Sequence, residues 1–279
     1  MNTGGPPPEL FERARLMRDG LITAVGTRDA ATVALLRDSP AGPEVYLLRR
    51  VRGMAFAGGM HVFPGGSVDP ADAEADLAWV GPPAADWARA FGCPEPLARA
   101  LVCAAVRETF EESGVLLAGP ASASGQTASV LADVSTDEWE AERVALEARE
   151  QSLSQLLVRR SLVLRADLLR PLAHWITPEV EAKRFDTRFF LARMPAGQVC
   201  REVGGEADQR AWLRPADALE QGLRMLPPTA VALGDLAAHG DVEAALSAER
   251  TISPVLPKLV VGADDQVAFL LPGDAGYPP

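Results

Sequence analysis

Residues 97 to 113 read LARALVCAAVRETFEES, an apolar helical run that ends in three glutamates and is followed by Gly114. On a helix of 3.6 residues per turn, Glu108 and Glu112 share a face one turn apart and Glu111 lies beside them, so three carboxylates converge. Val102, Val106 and Phe110, at i, i+4 and i+8, line the opposite side, which predicts one packed face and one charged face. Like charges at i,i+4 cost a helix about 0.2–0.5 kcal/mol per pair. The helix dipole also disfavours acids in a last turn, and Arg107 is the one nearby cation. Two readings stand at this point. One is a solvated acidic face; the other is a site for Mg²⁺, which takes hard oxygen ligands from a few carboxylates and completes its shell with water and substrate phosphate. Calcium suits the pattern less, because no D-x-D-x-D-G loop occurs.

A second feature lies upstream. HVFPGGSVDP, residues 61 to 70, runs from an apolar strand into Gly65 and Gly66 and then an acid. Taken alone, the pair after Pro64 predicts a chain reversal, since glycine tolerates positive φ.

The rest of the chain bounds the partners. A net charge of -11 and a pI near 4.8 argue against a broad electrostatic grip on nucleic acid or on an anionic membrane surface. A phosphate-bearing small molecule is compatible if a metal masks the local charge. Three cysteines, Cys93, Cys103 and Cys200, form no CxxC pair, which fits a reducing compartment rather than a disulfide or thiolate–zinc framework. With neither an apolar leader pattern nor a run of 18 apolar residues, the expectation is a soluble, unexported, cytoplasmic protein.

Element signals follow the chain. PELFERARLMRDG predicts a short helix closed by Gly20, after a Gly/Pro-rich start expected to be frayed. ATVALLRD and EVYLLRR, separated by SPAGP, predict adjacent antiparallel strands, and MHVFPGG a third. AADWARAFG reads as a helical patch within an irregular insertion, and VLLAG as a short strand. Residues 136 to 160 read as one helix opened by a capping box near Thr136, its charged face solvated. RFDTRFFLARM predicts a central strand. RAWLRPADALEQG predicts strand, turn and helix with Pro215 near the helix start, and the tail holds a helix near DVEAALSAE and a strand near DQVAFLLPG. The class is α+β, with a layered α/β/α sandwich.

Together, GGSVDPAD and RETFEESGV resemble the two halves of the Nudix box, G-x5-E-x7-R-E-U-x-E-E-x-G-U, with Arg107, Glu108, Glu111, Glu112, Gly114 and Val115 in register. Asp72 stands where the first box glutamate belongs, Thr109 replaces an aliphatic residue, and 34 residues separate Asp72 from Arg107 where the pattern has seven. A loop of this kind accepts an insertion at modest entropic cost if its ends stay close. VYLLRRVRGMAFAGGMHVFPGGSVD, HWITP and RFDTRFFLA add similarity to a Nudix subgroup with an insertion inside the box, which includes the peroxisomal coenzyme A diphosphatase.

The resemblance implies a Nudix-type α/β/α sandwich with mixed sheet and helical insertions. Residues 1–20 would form an N-terminal segment and residues 21–279 a single domain with insertions at about 73–96 and 120–165. It implies a Mg²⁺-dependent (or Mn²⁺-dependent) hydrolase of a diphosphate linkage, coenzyme A or an acyl derivative leading; the alternative is a ligand-binding or regulatory protein without turnover. Glu108, Glu111 and Glu112 would hold metal, with a carbonyl of Gly65 or Gly66 and Asp72 as lesser candidates. The paired glycines would then let main chain approach helix and metal closely, and Arg107 would orient a glutamate. The base would be Glu108, or a loop acid such as Glu202 or Glu206, each of those two more simply a solvated acid. Arg50, Arg52 and Arg184 are candidates for substrate phosphate, each also readable as a surface cation. His61 and His174 read as structural, Trp79 and Trp87 as packing residues, Cys103 as a small buried hydrophobe. Partners are a small-molecule diphosphate, with a second copy of the chain as a candidate, and no nucleic acid and no membrane.

Overall fold

The computed structural model describes residues 8–54, 57–73, 77–120, 129–202, 205, 207–261 and 267–277. The Gly/Pro-rich start and Glu206 lie outside these residues. In chain order the helices are α1 (Pro8–Arg18), α2 (Pro70–Ala73), α3 (Ala84–Phe91), α4 (Glu95–Ser113), α5 (Asp137–Glu147), α6 (Leu153–Arg159), α7 (Pro215–Glu220), α8 (Pro227–Ala237) and α9 (Val242–Ser247). The strands open with β1 (Thr27–Ser39), β2 (Gly42–Arg50), β3 (His61–Val62), β4 (Gly65–Ser67), β5 (Trp79–Val80), β6 (Ala118–Pro120) and β7 (Leu162–Arg165). They continue with β8 (Leu169–Ile176), β9 (Arg184–Arg193), β10 (Ala207–Leu213), β11 (Pro254–Val255), β12 (Lys258–Val261) and β13 (Val267–Leu270).

The main sheet runs β10-β2-β1-β9-β8-β11, with β3 paired to β2 and β4 to β1. β1 and β9 are parallel while β1–β2 and β8–β9 are antiparallel, so the sheet is mixed. RFDTRFFLA lies centrally, as its apolar density predicts. Side chains alternate across β1. Val33 and Leu35 face a core shared with α3, α4 and Phe190, whereas Ala34 and Leu36 face a second core with Leu233 and Leu236 of α8 and Val242 of α9. Helices therefore cover both faces, and the layered α/β/α expectation holds.

Pro94 and Pro96 open α4 where missing N–H groups cost nothing. Gly114, at φ +72°, closes it by donating its N–H to Phe110 O. Val102, Val106 and Phe110 are fully buried, but so are Leu101, Cys103, Ala104 and Ala105. The helix is thus enclosed nearly all round, not on one face, because α3, α2 and α5 pack on the sides the sheet leaves open. Small residues make that enclosure sterically possible.

Two expectations need correction. Residues 136 to 160 form α5 and α6, broken where Arg149 adopts φ +59°. Thr136 makes no side-chain cap; the capping box is at Ser152, whose Oγ accepts from Gln155 N while Gln155 Oε1 accepts from Ser152 N. A Ser and a Gln three apart inside a helical pattern were the overlooked signal. The VLLAG strand shrinks to Ala118–Pro120, which joins β5 and β7 in a separate three-stranded sheet. The stretches around 73–96 and 120–165 are thereby connected, since β5 pairs with β7 and β7 with β6. α8 carried no recognised signal. Among the described residues no helix is long and apolar enough to cross a membrane.

Candidate active site

The glycine pair is not a turn. Gly65 and Gly66 form β4, pair with Thr32 and Ala31 of β1, and neither uses a left-handed φ. Their lack of a Cβ serves close approach instead. A Cβ at Gly65 would sit 2.5 Å from Ala31 O and 2.7 Å from Thr32 Cα, inside the sheet. One at Gly66 would sit 2.6 Å from Glu108 Cδ and overlap both carboxylate oxygens. Main chain and acid-bearing helix are therefore in direct contact here, as the family resemblance implied.

Arg107 organises the acids. Asp72 is buried and accepts from Arg107 Nε at 3.1 Å and from Nη2 at 2.9 Å, while Ser67 O accepts from Nη2 at 3.0 Å. The other arm, Nη1, donates to Glu108 Oε1 at 2.8 Å and to Glu111 Oε2 at 3.2 Å. Side-chain exposures of 11% for Arg107 and 12% for Glu108 and Glu111 put these charge-assisted bonds in a largely dehydrated setting. Glu112 Oε2 accepts the Gly65 N–H at 2.8 Å. Asp72, 35 positions away in sequence, is thus the anchor of Arg107. Asp69 N in turn donates to Asp72 Oδ2 at 2.8 Å. Thr109, at an aliphatic position of the box, is buried and satisfies its hydroxyl on Ala105 O at 2.7 Å.

The residues brought together fit a divalent cation on two counts. All available donors are hard carboxylate and main-chain oxygens. Arg107 also leaves the cluster short of positive charge. Burial, then the neighbouring Glu108 charge, push the Glu111 carboxyl up to about 7 despite Arg107 beside it. Among the described residues no three acids, histidines or cysteines already converge as a metal cage, because Arg107 draws Glu108 and Glu111 while Gly65 holds Glu112.

The Glu111 shift has a sign that can be checked. Glutamate ordinarily titrates near 4.5, so below that value the acid is protonated in folded and unfolded chains alike and its contribution to stability is intact. Between 4.5 and about 7 the unfolded chain loses the proton first, and stability falls as pH rises through that window. In chelator, Glu111→Gln is therefore expected to gain stability relative to wild type between pH 5 and 8, in urea melts at each pH. A difference that stays flat across the window would contradict the assignment.

The other candidate residues are dispersed. Arg50 ends β2 on the sheet face of Tyr46 and Leu48, which pack in the α4-side core. Arg52 is exposed in the following turn. Arg184 is buried and spends Nε on Thr177 O at 3.0 Å and Nη1 on Val25 O at 2.7 Å, so these donors are committed to main chain just beyond β8 and just before β1. Glu202 is exposed. His174 is buried with Nε2 on Asp186 Oδ1 at 2.5 Å, and His61 lies against Arg224 O. Trp87 stacks among Phe91 and Phe190, and Trp79 packs half-buried against the same core. Burial pushes the Cys103 thiol up to about 12, as expected of an inert core cysteine. Two arginines escaped the sequence analysis. Arg143 is buried on α5, and Arg201 lies across Gly114; nothing in their local sequence separates them from surface cations.

The NUDT19 Nudix domain family matches residues 83–229, more than half of the chain and including Arg107 through Val115. The acyl-coenzyme A diphosphatase NUDT19 of Gallus gallus is 29% identical over 90% of this chain and 80% of its own length. The Homo sapiens protein of that name is 28% identical over 98% and 82%. Both alignments reach beyond the family match. A crystal structure of a Nudix hydrolase from Alicyclobacillus acidocaldarius, 30% identical, superposes with a TM-score of 0.66 over 81% of this chain and 98% of its own. The box carried on α4, the layered fold around it and these matches agree, and the chain belongs to the Nudix hydrolase family.

Proposed function

We propose that this hydrolase cleaves the diphosphate linkage of coenzyme A or an acyl-coenzyme A with Mg²⁺, bound through Glu108, Glu111 and Glu112. The observation that supports it is the buried cluster in which Arg107 gathers Glu108 and Glu111 against the bare main chain of Gly66. The substrate class comes from relatives named acyl-coenzyme A diphosphatase, of whose length this chain covers 80% and 82%. Nudix hydrolases are generally dependent on divalent metal.

When bound, such a metal lowers the pKa of a coordinated water and offsets charge on the diphosphate. The protein's own part is placement. Asp72 and Ser67 O fix the Arg107 guanidinium, whose free arm sets the Glu108 and Glu111 carboxylates side by side. The Gly65 N–H sets Glu112. Glu108, in contact with Gly66, is assigned as acceptor of the proton that the attacking water loses. Water adds to one phosphorus, the bridging P–O bond breaks, and the leaving phosphate keeps the bridging oxygen. With coenzyme A the products are 4′-phosphopantetheine and adenosine 3′,5′-bisphosphate.

Purified protein should release adenosine 3′,5′-bisphosphate from coenzyme A or acyl-coenzyme A with Mg²⁺ and not with excess EDTA, followed by chromatography. Turnover of ADP-ribose or a dinucleotide in its place would overturn the substrate assignment. Metal-independent turnover would overturn the roles of the glutamates.

A further inference from the structure

Glu111 and Glu112 sit on the final turn of α4, with Glu108 one turn before them, and final turns leave main-chain carbonyls without helical partners and fray readily. Here that turn is held from outside. Arg143 of α5 donates through Nη1 to the Glu111 carbonyl at 3.0 Å, although its side chain is only 3% exposed. The rest of the guanidinium is fixed on its own helix. Nε and Nη2 donate to Glu140 Oε1 at 3.0 and 2.7 Å, and Nη1 to Glu147 Oε2 at 2.7 Å. Two carboxylates thus clamp the fork and aim one N–H at α4, a task suited to a planar, permanently charged group.

A second tie joins the first. Glu140 also accepts from Arg201 Nη1 at 2.8 Å, and the Arg201 main chain donates to Ser113 O at 2.9 Å. Arg201 itself covers Gly114 so closely that a Cβ there would lie 2.8 Å from its Nε. Glu111 and Ser113 are therefore pinned by two segments that share Glu140. The Arg143 charge also stands at the negative end of the α4 dipole, where it offsets the crowding of Glu108, Glu111 and Glu112.

We propose that Arg143 is a positioning residue of the active site: by holding the Glu111 carbonyl it sets the direction in which Glu111 and Glu112 present their carboxylates to a divalent cation. The inference rests on the assignment of those acids as metal ligands. Removal of the tie lets the last turn loosen and the like charges part.

The test is Mn²⁺ binding to the full chain, read by electron paramagnetic resonance, for wild type, R143M, R143K and L146A. Leu146 is buried on the same helix and supplies a destabilising control without the polar tie. R143M is expected to weaken Mn²⁺ about 10–100-fold, as removal of an outer-shell partner does. L146A should lower the melting temperature and keep the wild-type affinity. If R143M does not fold, R143K decides, because a compact ammonium cannot reproduce the planar fork whose separate nitrogens reach Glu140, Glu147 and the Glu111 carbonyl; a loss of at least about tenfold is expected there too. Wild-type affinity in a folded Arg143 variant, or an equal loss in L146A, overturns the positioning role alone. A wild-type protein that binds no Mn²⁺ overturns the metal assignment and this inference with it.

Discussion

Glu112→Gln is expected to lower turnover by at least about 10²-fold, the scale on which loss of one electrostatic stabiliser at a reacting centre is felt. The substitution is informative because it keeps the shape. A glutamine carbonyl oxygen can still accept the Gly65 N–H that Glu112 Oε2 accepts at 2.8 Å, so the strand-to-helix contact survives while the charge does not. The melting temperature should stay near that of wild type, and Mg²⁺ should no longer raise it as it does in wild type by binding the folded state. Steady-state kinetics across a Mg²⁺ series, with thermal melts on the same samples, would check both halves. Wild-type turnover in the variant would remove Glu112 from the chemistry.

The second large effect separates two neighbouring glycines. Gly66→Ala places a methyl group on the Glu108 carboxylate, the far end of a flexible side chain, so the protein should fold while Glu108 is displaced from Arg107. Activity should fall by roughly 10²-fold, as misplacement of a catalytic group by about an ångström does. Gly65→Ala meets main chain instead, at Ala31 O and Thr32 Cα, which cannot move without separating β4 from β1. That variant should lose several kcal/mol of stability, more than the 1–3 kcal/mol usual for overpacking. Circular dichroism melts with activity assays decide the matter. Equal stability losses at the two positions would contradict the close-approach account.

Much of this site was legible before any coordinates. That Glu108, Glu111 and Glu112 lie close together along one helix follows from their spacing, and helical spacing is a local property; that their carboxylates are drawn to different partners does not. The Val-, Leu- and Tyr-rich runs ATVALLRD and EVYLLRR with turn formers between them, and the glycine that closes α4, are equally local. Errors arose where a local signal had two physical outcomes. A Gly-Gly pair serves a left-handed turn or a tight approach, and here β4 uses the second. A charged helical pattern can be solvated or buried through paired charges, and Arg143 follows the latter course.

The choice of partners across long separations needed the folded chain. Asp72 lies where a box glutamate would be, yet it secures Arg107, because the intervening residues fold away as α3 and β5 and bring α2 against α4. Arg143 and Arg201 look like any other arginines in the sequence until α5 and the segment after β9 close over the end of α4. Periodicity records which side chains share a face. Which buried charge meets which depends on how remote segments pack, because each needs a compensating partner that the surrounding residues do not supply.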